Sequence, residues 1–245
     1  MPTDDPTGTA MTSIVDFDAR VSGIAALADP LRRGLFRFVT AQSVPVSRDA
    51  AASGMGVPRH VAKFHLDRLV HDGLLAVEYA RPPGRRGPGA GRPAKLYSRS
   101  SRELTLSVPQ RQYELAARLL ADAVTISGRD SITVADALTQ VARDTGRAVG
   151  AQARHDAEAL EPVNVLAVAV SALERAGYEP RVDGPSVTLV NCPFHVLARE
   201  HTDLVCGMNL DLLTGLVEDL ASSNLQACLE PATGLCCVRL RDASA

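Results

Sequence analysis

Nowhere in its 245 residues does this sequence reach the eighteen or so consecutive apolar residues that a membrane span requires. The N-terminus, which begins Met1-Pro-Thr-Asp-Asp, has neither the basic nor the apolar region of a secretory signal, so a cytoplasmic location is expected. Catalytic signatures are missing as well. There is no CxxC pair, no HExxH, no GxSxG and no phosphate-binding loop, so no enzymatic activity is expected. Before residue 192 there is no cysteine at all.

The cysteines that do occur, Cys192, Cys206, Cys228, Cys236 and Cys237, crowd into the last fifth of the chain. Chance placement would do this roughly once in two thousand sequences, so the tail reads as a metal or redox module. In a reducing compartment such thiols are better candidates for ligands or redox groups than for disulfides. Charge is partitioned too. Residues 1–102 carry 15 Lys and Arg against 9 Asp and Glu, a net +6, whereas the remainder carries 11 against 19, a net −8. The first part is suited to meet phosphates and the second is not.

The expected fold class is α+β: an N-terminal winged helix-turn-helix, central dimerisation helices, and a C-terminal α+β sensor domain with an antiparallel sheet. Residues 1–20, rich in Thr, Asp and Pro, read as a mobile arm. Residues 21–105 hold the first domain, 106–160 a helical dimerisation or linker region, and 161–245 the cysteine-containing domain. Leu27, Leu31, Leu35 and Phe38 recur at helical spacing within one helix expected over 24–40. Pro45 marks a break, and Ser47 is placed to cap a short alanine-rich helix ending at Ser53-Gly54. A third helix runs from Val57-Pro58 to Asp72 and is closed by Gly73. Strands are expected at 74–79 and 94–98. Helices are expected at 110–127 and about 133–155, with alanine-rich faces suited to close packing within the chain or across a two-fold axis. From Pro162 the pattern alternates: helix 163–176, strands 179–182 and 187–190, helix 203–220, strands 225–230 and 236–240.

Helix, turn, helix and a two-stranded ribbon with a basic tip form a DNA-reading plan, in which the third helix enters the major groove and the wing tip reaches an adjacent groove or the backbone. Leu66 and Leu69 would pack inward. Arg59, His60 and Lys63 would share the outward face, Arg and Lys being suited to guanine edges or phosphate. At the tip, Arg85, Arg86 and Arg92 sit among glycines that let the backbone approach DNA closely.

Among the cysteines, Cys192 follows a strand within Asn191-Cys192-Pro193-Phe194-His195, Cys206 starts a helix, and Cys236 and Cys237 begin the last strand. Three structural transitions can therefore converge on one point. Zinc would take four S/N ligands, for which Cys192, His195 or His201, Cys206 and one C-terminal cysteine are available. An iron-sulfur cluster would accept three thiolates and a weaker fourth ligand. Cys228 reads as a small core hydrophobe. Strand alternation puts Cys236 in phase with Val238 and Leu240, and Cys237 on the opposite face with Arg239 and Arg241.

The segment from Ile24 to Ser98, with Ala28-Asp29-Pro30-Leu31-Arg32 and Gly91-Arg92-Pro93-Ala94-Lys95-Leu96-Tyr97, resembles the winged-helix domain of ArsR-like bacterial regulators. The tail, from Cys192-Pro193-Phe194-His195 through His201 and Val205-Cys206 to Leu212-Leu213-Thr214-Gly215 and Gly234-Leu235-Cys236, resembles that of SufR-type iron-sulfur repressors. The resemblance implies a homodimeric repressor of cluster-assembly genes that binds a double-stranded DNA operator and holds a 4Fe-4S cluster on Cys192, Cys206 and Cys236. The adjacent Cys237 departs from the single-cysteine ending of such tails and competes for the third position. For the fourth ligand His195 leads, His201 follows, and an external thiol, water or carboxylate stays open. The same branch contains relatives without a cluster, which keeps a structural zinc site or an apolar effector pocket as the alternative.

Overall fold

A computed structural model describes residues 17–80, 93–158, 164–184, 186–220 and 225–242. The chain divides into two units, one spanning Val15–Leu106 and the other holding the chain from Ser107 onward.

The first unit opens with α1 (Phe17–Ala26) and α2 (Pro30–Thr40), where the sequence led us to expect one helix over 24–40. The break has a local cause. The Asp29 carboxylate accepts the Arg32 N–H at 2.7 Å, and Pro30, which has no N–H to give to a preceding turn, stands at the first helical position. Since α1 starts at Phe17, the last residues of the expected arm are helical, and residues 1–16 lie outside the described residues.

A two-residue strand β1 (Val46–Ser47) leads into α3 (Arg48–Gly54), where Ser47 caps by accepting the Ala50 N–H at 3.1 Å. Gly56, at φ +63°, turns the chain into α4 (Arg59–His71). At the end of α4, Gly73 takes φ +75° and the Leu74 N–H returns to the Leu69 carbonyl at 2.9 Å, releasing the chain into a strand.

Strands β2 (Leu75–Ala80) and β3 (Ala94–Arg99) pair antiparallel with Val77 opposite Tyr97, and β1 adds to β3, giving the order β1-β3-β2. Pro45 obscured β1, which is too short to leave a period. Leu35, Val39, Ala51, Ala62, Leu66, Leu69 and Tyr97 form the core. These elements are a winged helix-turn-helix.

The second unit begins with α5 (Tyr113–Asp130) and α6 (Val134–Glu158), followed by α7 (Val165–Arg175), β4 (Pro180–Asp183), β5 (Ser186–Leu189), α8 (His195–Glu200), α9 (Thr202–Asp219), β6 (Leu225–Leu229) and β7 (Val238–Asp242). Its sheet is antiparallel with the order β4-β5-β7-β6. The expected separation of a helical region from a sensor domain is not seen. Ala116, Leu119, Ala142 and Ala153 of α5 and α6 share one core with Val187, Leu213, Val238 and Leu240.

The tightest packing is between α6 and α9. A Cβ on Gly146 would collide with the Leu212 carbonyl oxygen, one on Gly215 with that of Arg143, and one on Gly150 would lie 2.6 Å from that of Leu216. Gly146→Ala and Gly215→Ala are therefore each expected to destabilise the protein by about 1–3 kcal/mol, the usual cost of overpacking. Thermal unfolding should show it as a lowered Tm, whereas Gly128→Ala, with open space around its Cβ position, should leave Tm unchanged or raise it.

Candidate functional site

The first candidate surface is the exposed face of α4. Ala62, Leu66 and Leu69 are fully buried against α2 and α3, which leaves Arg59, His60 and Lys63 outward. Pro58 begins the helix without a side-chain cap, and the Val61 and Ala62 N–H groups both turn back to the Pro58 carbonyl at 3.0 Å, which leaves the Arg59 and His60 N–H groups at the helix start to face an anion such as a phosphate. Arg59 is not idle. Its Nε lies 2.5 Å from the Asp49 carboxylate on α3, an exposed pair of small energetic worth. Sequence reasoning missed Phe64, which stands on the same face and is 68 % exposed. Its signal was the absence of a polar residue at an outward helical position.

Behind that face, Asp67 joins α4 to β3. Its Oδ1 accepts from Lys95 Nζ at 2.5 Å and from the Tyr97 hydroxyl at 3.1 Å, both on β3. Burial raises the Asp67 carboxyl, and the bonds from Lys95 and Tyr97 outweigh it, so that the group ends below its ordinary value. Burial also pushes the Tyr97 phenol up, which keeps it a donor. Arg85, Arg86 and Arg92 of the wing tip lie outside the described residues.

The second candidate site is the group of thiols in the second unit. Cys192 leaves β5, Cys206 lies in the first turns of α9, and Cys236 and Cys237 approach β7. The first three are 8 %, 6 % and 4 % exposed. Although Cys236 and Cys237 were expected to begin a strand, β7 starts at Val238, and strict alternation does not govern the pair. Cys236 is buried in line with Val238 and Leu240, while the Cys237 thiol interacts with both Cys236 and Cys206 and does not simply face away.

Hydrogen bonding from Cys192, then from Cys237, holds the Cys236 thiol well below the usual range against the effect of burial. Cys192 and Cys237 are pushed up, chiefly by the same contacts with Cys236 and by burial. One sulfur of the group is thus the preferred anion. The Asn209 amide, fully buried on α9, donates to the Cys236 sulfur at 3.3 Å, and its oxygen accepts from the Tyr178 hydroxyl. Tyr178 is pushed well up by burial and by the neighbouring sulfurs, so its phenol stays protonated and can serve that bond.

His195 is exposed at the start of α8 and His201 is exposed ahead of α9. Cys228 is half-buried on the edge strand β6 and stands outside the core, contrary to the packing role expected for it. Among the described residues, no three His, Cys, Asp or Glu side chains are arranged to hold a single metal ion. The donor set itself is soft and sulfur-rich, of the type that iron-sulfur clusters use.

The loop carrying Cys192 is also a latch. Asn191, 8 % exposed, donates to the Gly177 carbonyl at 2.7 Å and to the Gln110 carbonyl at 3.1 Å. Arg111 Nη1 donates to Asn191 Oδ1 at 2.5 Å and to the Cys192 carbonyl at 2.8 Å, while the Gln112 N–H reaches the Pro193 carbonyl at 3.1 Å. The first residues of the second unit are therefore fastened to the backbone of a cysteine loop some eighty positions away.

A helix-turn-helix domain family matches residues 27–78. The first unit is a DNA-binding module. The match runs from the end of α1 to the middle of β2, so it covers the helices and the entry to the wing, and it supports a DNA-binding role in transcription regulation for this part of the chain. No curated protein and no solved structure matches the chain. No helix among the described residues is long and apolar enough to cross a membrane.

The Asp67 tie has a measurable pH signature. Its depressed carboxyl contributes stability above the unfolded value of about 3.9, and that contribution is lost as pH falls through the folded value. Asp67→Asn is expected to cost less than about 1 kcal/mol at neutral pH, because the Asp67 side chain is more than a third exposed and the pair is screened by solvent. Chemical denaturation of the two proteins should give curves that converge below about pH 4.

Proposed function

We propose that this regulator is a homodimeric repressor of the SufR type, which binds a double-stranded operator with two winged helices and senses iron-sulfur or redox status through a 4Fe-4S cluster in its second unit. The observation that carries this reading is the convergence of the buried Cys192, Cys206 and Cys236 with the half-buried Cys237, from three separate segments, into one group of thiols. Cys192, Cys206 and Cys236 would be the anchors. Cys237, through its contact with Cys206, competes with His195 for the remaining position. When bound, such a cluster supplies an oxidant-sensitive centre that draws the thiolates together.

The chain's own residues do the rest. Asn209 directs an N–H at the sulfur of Cys236 and, with Tyr178 behind it, keeps that thiolate in a fixed place. Asn191 and Arg111 pass any displacement of the Cys192 loop to residues 110–112, close to where the DNA-binding unit ends. A cofactor-dependent position of that segment would set the separation of the two recognition helices, which must match half-sites about one helical turn apart or a multiple of it. A hundredfold change in operator affinity needs about 2.7 kcal/mol, well within the strength of metal-ligand bonds. The genes controlled would be those of cluster assembly.

Iron and acid-labile sulfide analysis of anaerobically purified protein is the direct test. Cluster stoichiometry, lost in Cys192→Ser, Cys206→Ser and Cys236→Ser, is the expected result, with operator affinity differing between the loaded and stripped protein at fixed salt. Colourless protein with stoichiometric zinc, or equal affinity in both states, would sink the reading. Arg111→Ala should retain iron and sulfide yet narrow the difference in affinity between the two states. Lys63→Ala should lower affinity for all duplexes alike and reduce the slope of log K against log salt by about 1 if it neutralises a phosphate.

A further inference from the structure

The outward face of α4 presents one large apolar group among charges. Phe64 belongs to neither core, is 68 % exposed, and stands beside Lys63 and one turn beyond His60. Among the described residues its ring partner is His65, met edge-on with centroids 5.2 Å apart and planes at 78°, which restrains the ring without covering it. Isolated exposed apolar side chains are common on protein surfaces, so exposure alone would carry little. Position carries the argument.

The groups around Phe64 are the bases Arg59, His60 and Lys63, while the nearby carboxylates are already engaged, that of Asp49 by Arg59 and that of Asp67 by Lys95 and Tyr97. The complementary surface is polyanionic with an apolar point. DNA offers such a surface in the major groove, where the only apolar group on any base edge is the 5-methyl of thymine. A helix of this width enters the major groove, whereas aromatic wedges that part base steps act from the minor groove.

We infer that Phe64 reads a thymine 5-methyl group in each half-site of the operator, with Arg59 and Lys63 setting its register on the flanking bases and phosphates. The inference rests on α4 being the recognition helix. It assigns a specificity determinant that is neither charged nor hydrogen-bonding, so its contribution is insensitive to salt, unlike that of its neighbours.

Duplexes enriched from a random pool by the full-length protein test this when each thymidine in turn is replaced with deoxyuridine, which removes the methyl group and leaves the hydrogen-bonding edge intact. One position in each half-site should weaken wild-type binding about fourfold, the worth of one buried methyl. Phe64→Ala, which removes an exposed ring and should fold normally, should bind the two duplexes equally. If no position is sensitive, or if Phe64→Ala retains the same sensitivity, the assignment is overturned while the enrichment itself leaves DNA binding in place. Failure to enrich any duplex would overturn both.

Discussion

The second unit depends on a backbone crossing that only glycine permits. Where α6 meets α9, carbonyl oxygens of each helix occupy the space that the other's Cβ atoms would need, at Gly146 and Gly150 on one side and Gly215 on the other. The crossing is so close that α9 loses most of its solvent-facing surface, and Val205, Cys206, Met208, Asn209, Leu212, Leu213 and Leu216 are all buried along it. Ion pairs close its edges, with Arg147 on Glu218 at 2.9 Å and Arg154 on Asp219 at 3.1 Å. Small residues contribute little apolar area themselves. Their role is to admit the dispersion contacts of larger neighbours.

Burying α9 that deeply brings a polar problem with it, and the thiol site is the solution. Asn209 is fully enclosed, and an amide left unpaired in such a place would cost about 1–3 kcal/mol. Tyr178 satisfies its oxygen and the Cys236 sulfur takes one of its N–H groups. The same glycine crossing that fixes α9 therefore fixes the height of Cys206 and Asn209 against the sheet end bearing Cys236. A site assembled from three segments needs that kind of scaffold, because a loop free to drift would scatter its donors.

Element types were largely legible in the sequence, since apolar periods of three to four and two are strong over α2, α5, α6, α7, β5 and β7. Boundaries failed where local chemistry overrode the period. Asp29-Pro30 divided the first helix, β1 was too short to show alternation, and β7 began two residues after Cys236. The grouping of cysteines was legible from their crowding. The reach of Cys237 toward Cys206 was not, because it depends on irregular backbone ahead of a strand. Nor was the role of Asn191 and Arg111, whose partners lie eighty residues apart and leave no local pattern. His195, three residues after Cys192, stands exposed in the first turn of α8.

The tie from Asp67 to Lys95 and Tyr97 joins α4 to the base of the wing. A reader with independent helix and wing could adjust to whatever groove widths it met. With α4 tied to the strand base, an operator read by both would have to supply the matching geometry or bend to reach it. The deformability of base steps that no side chain touches then becomes part of what is selected.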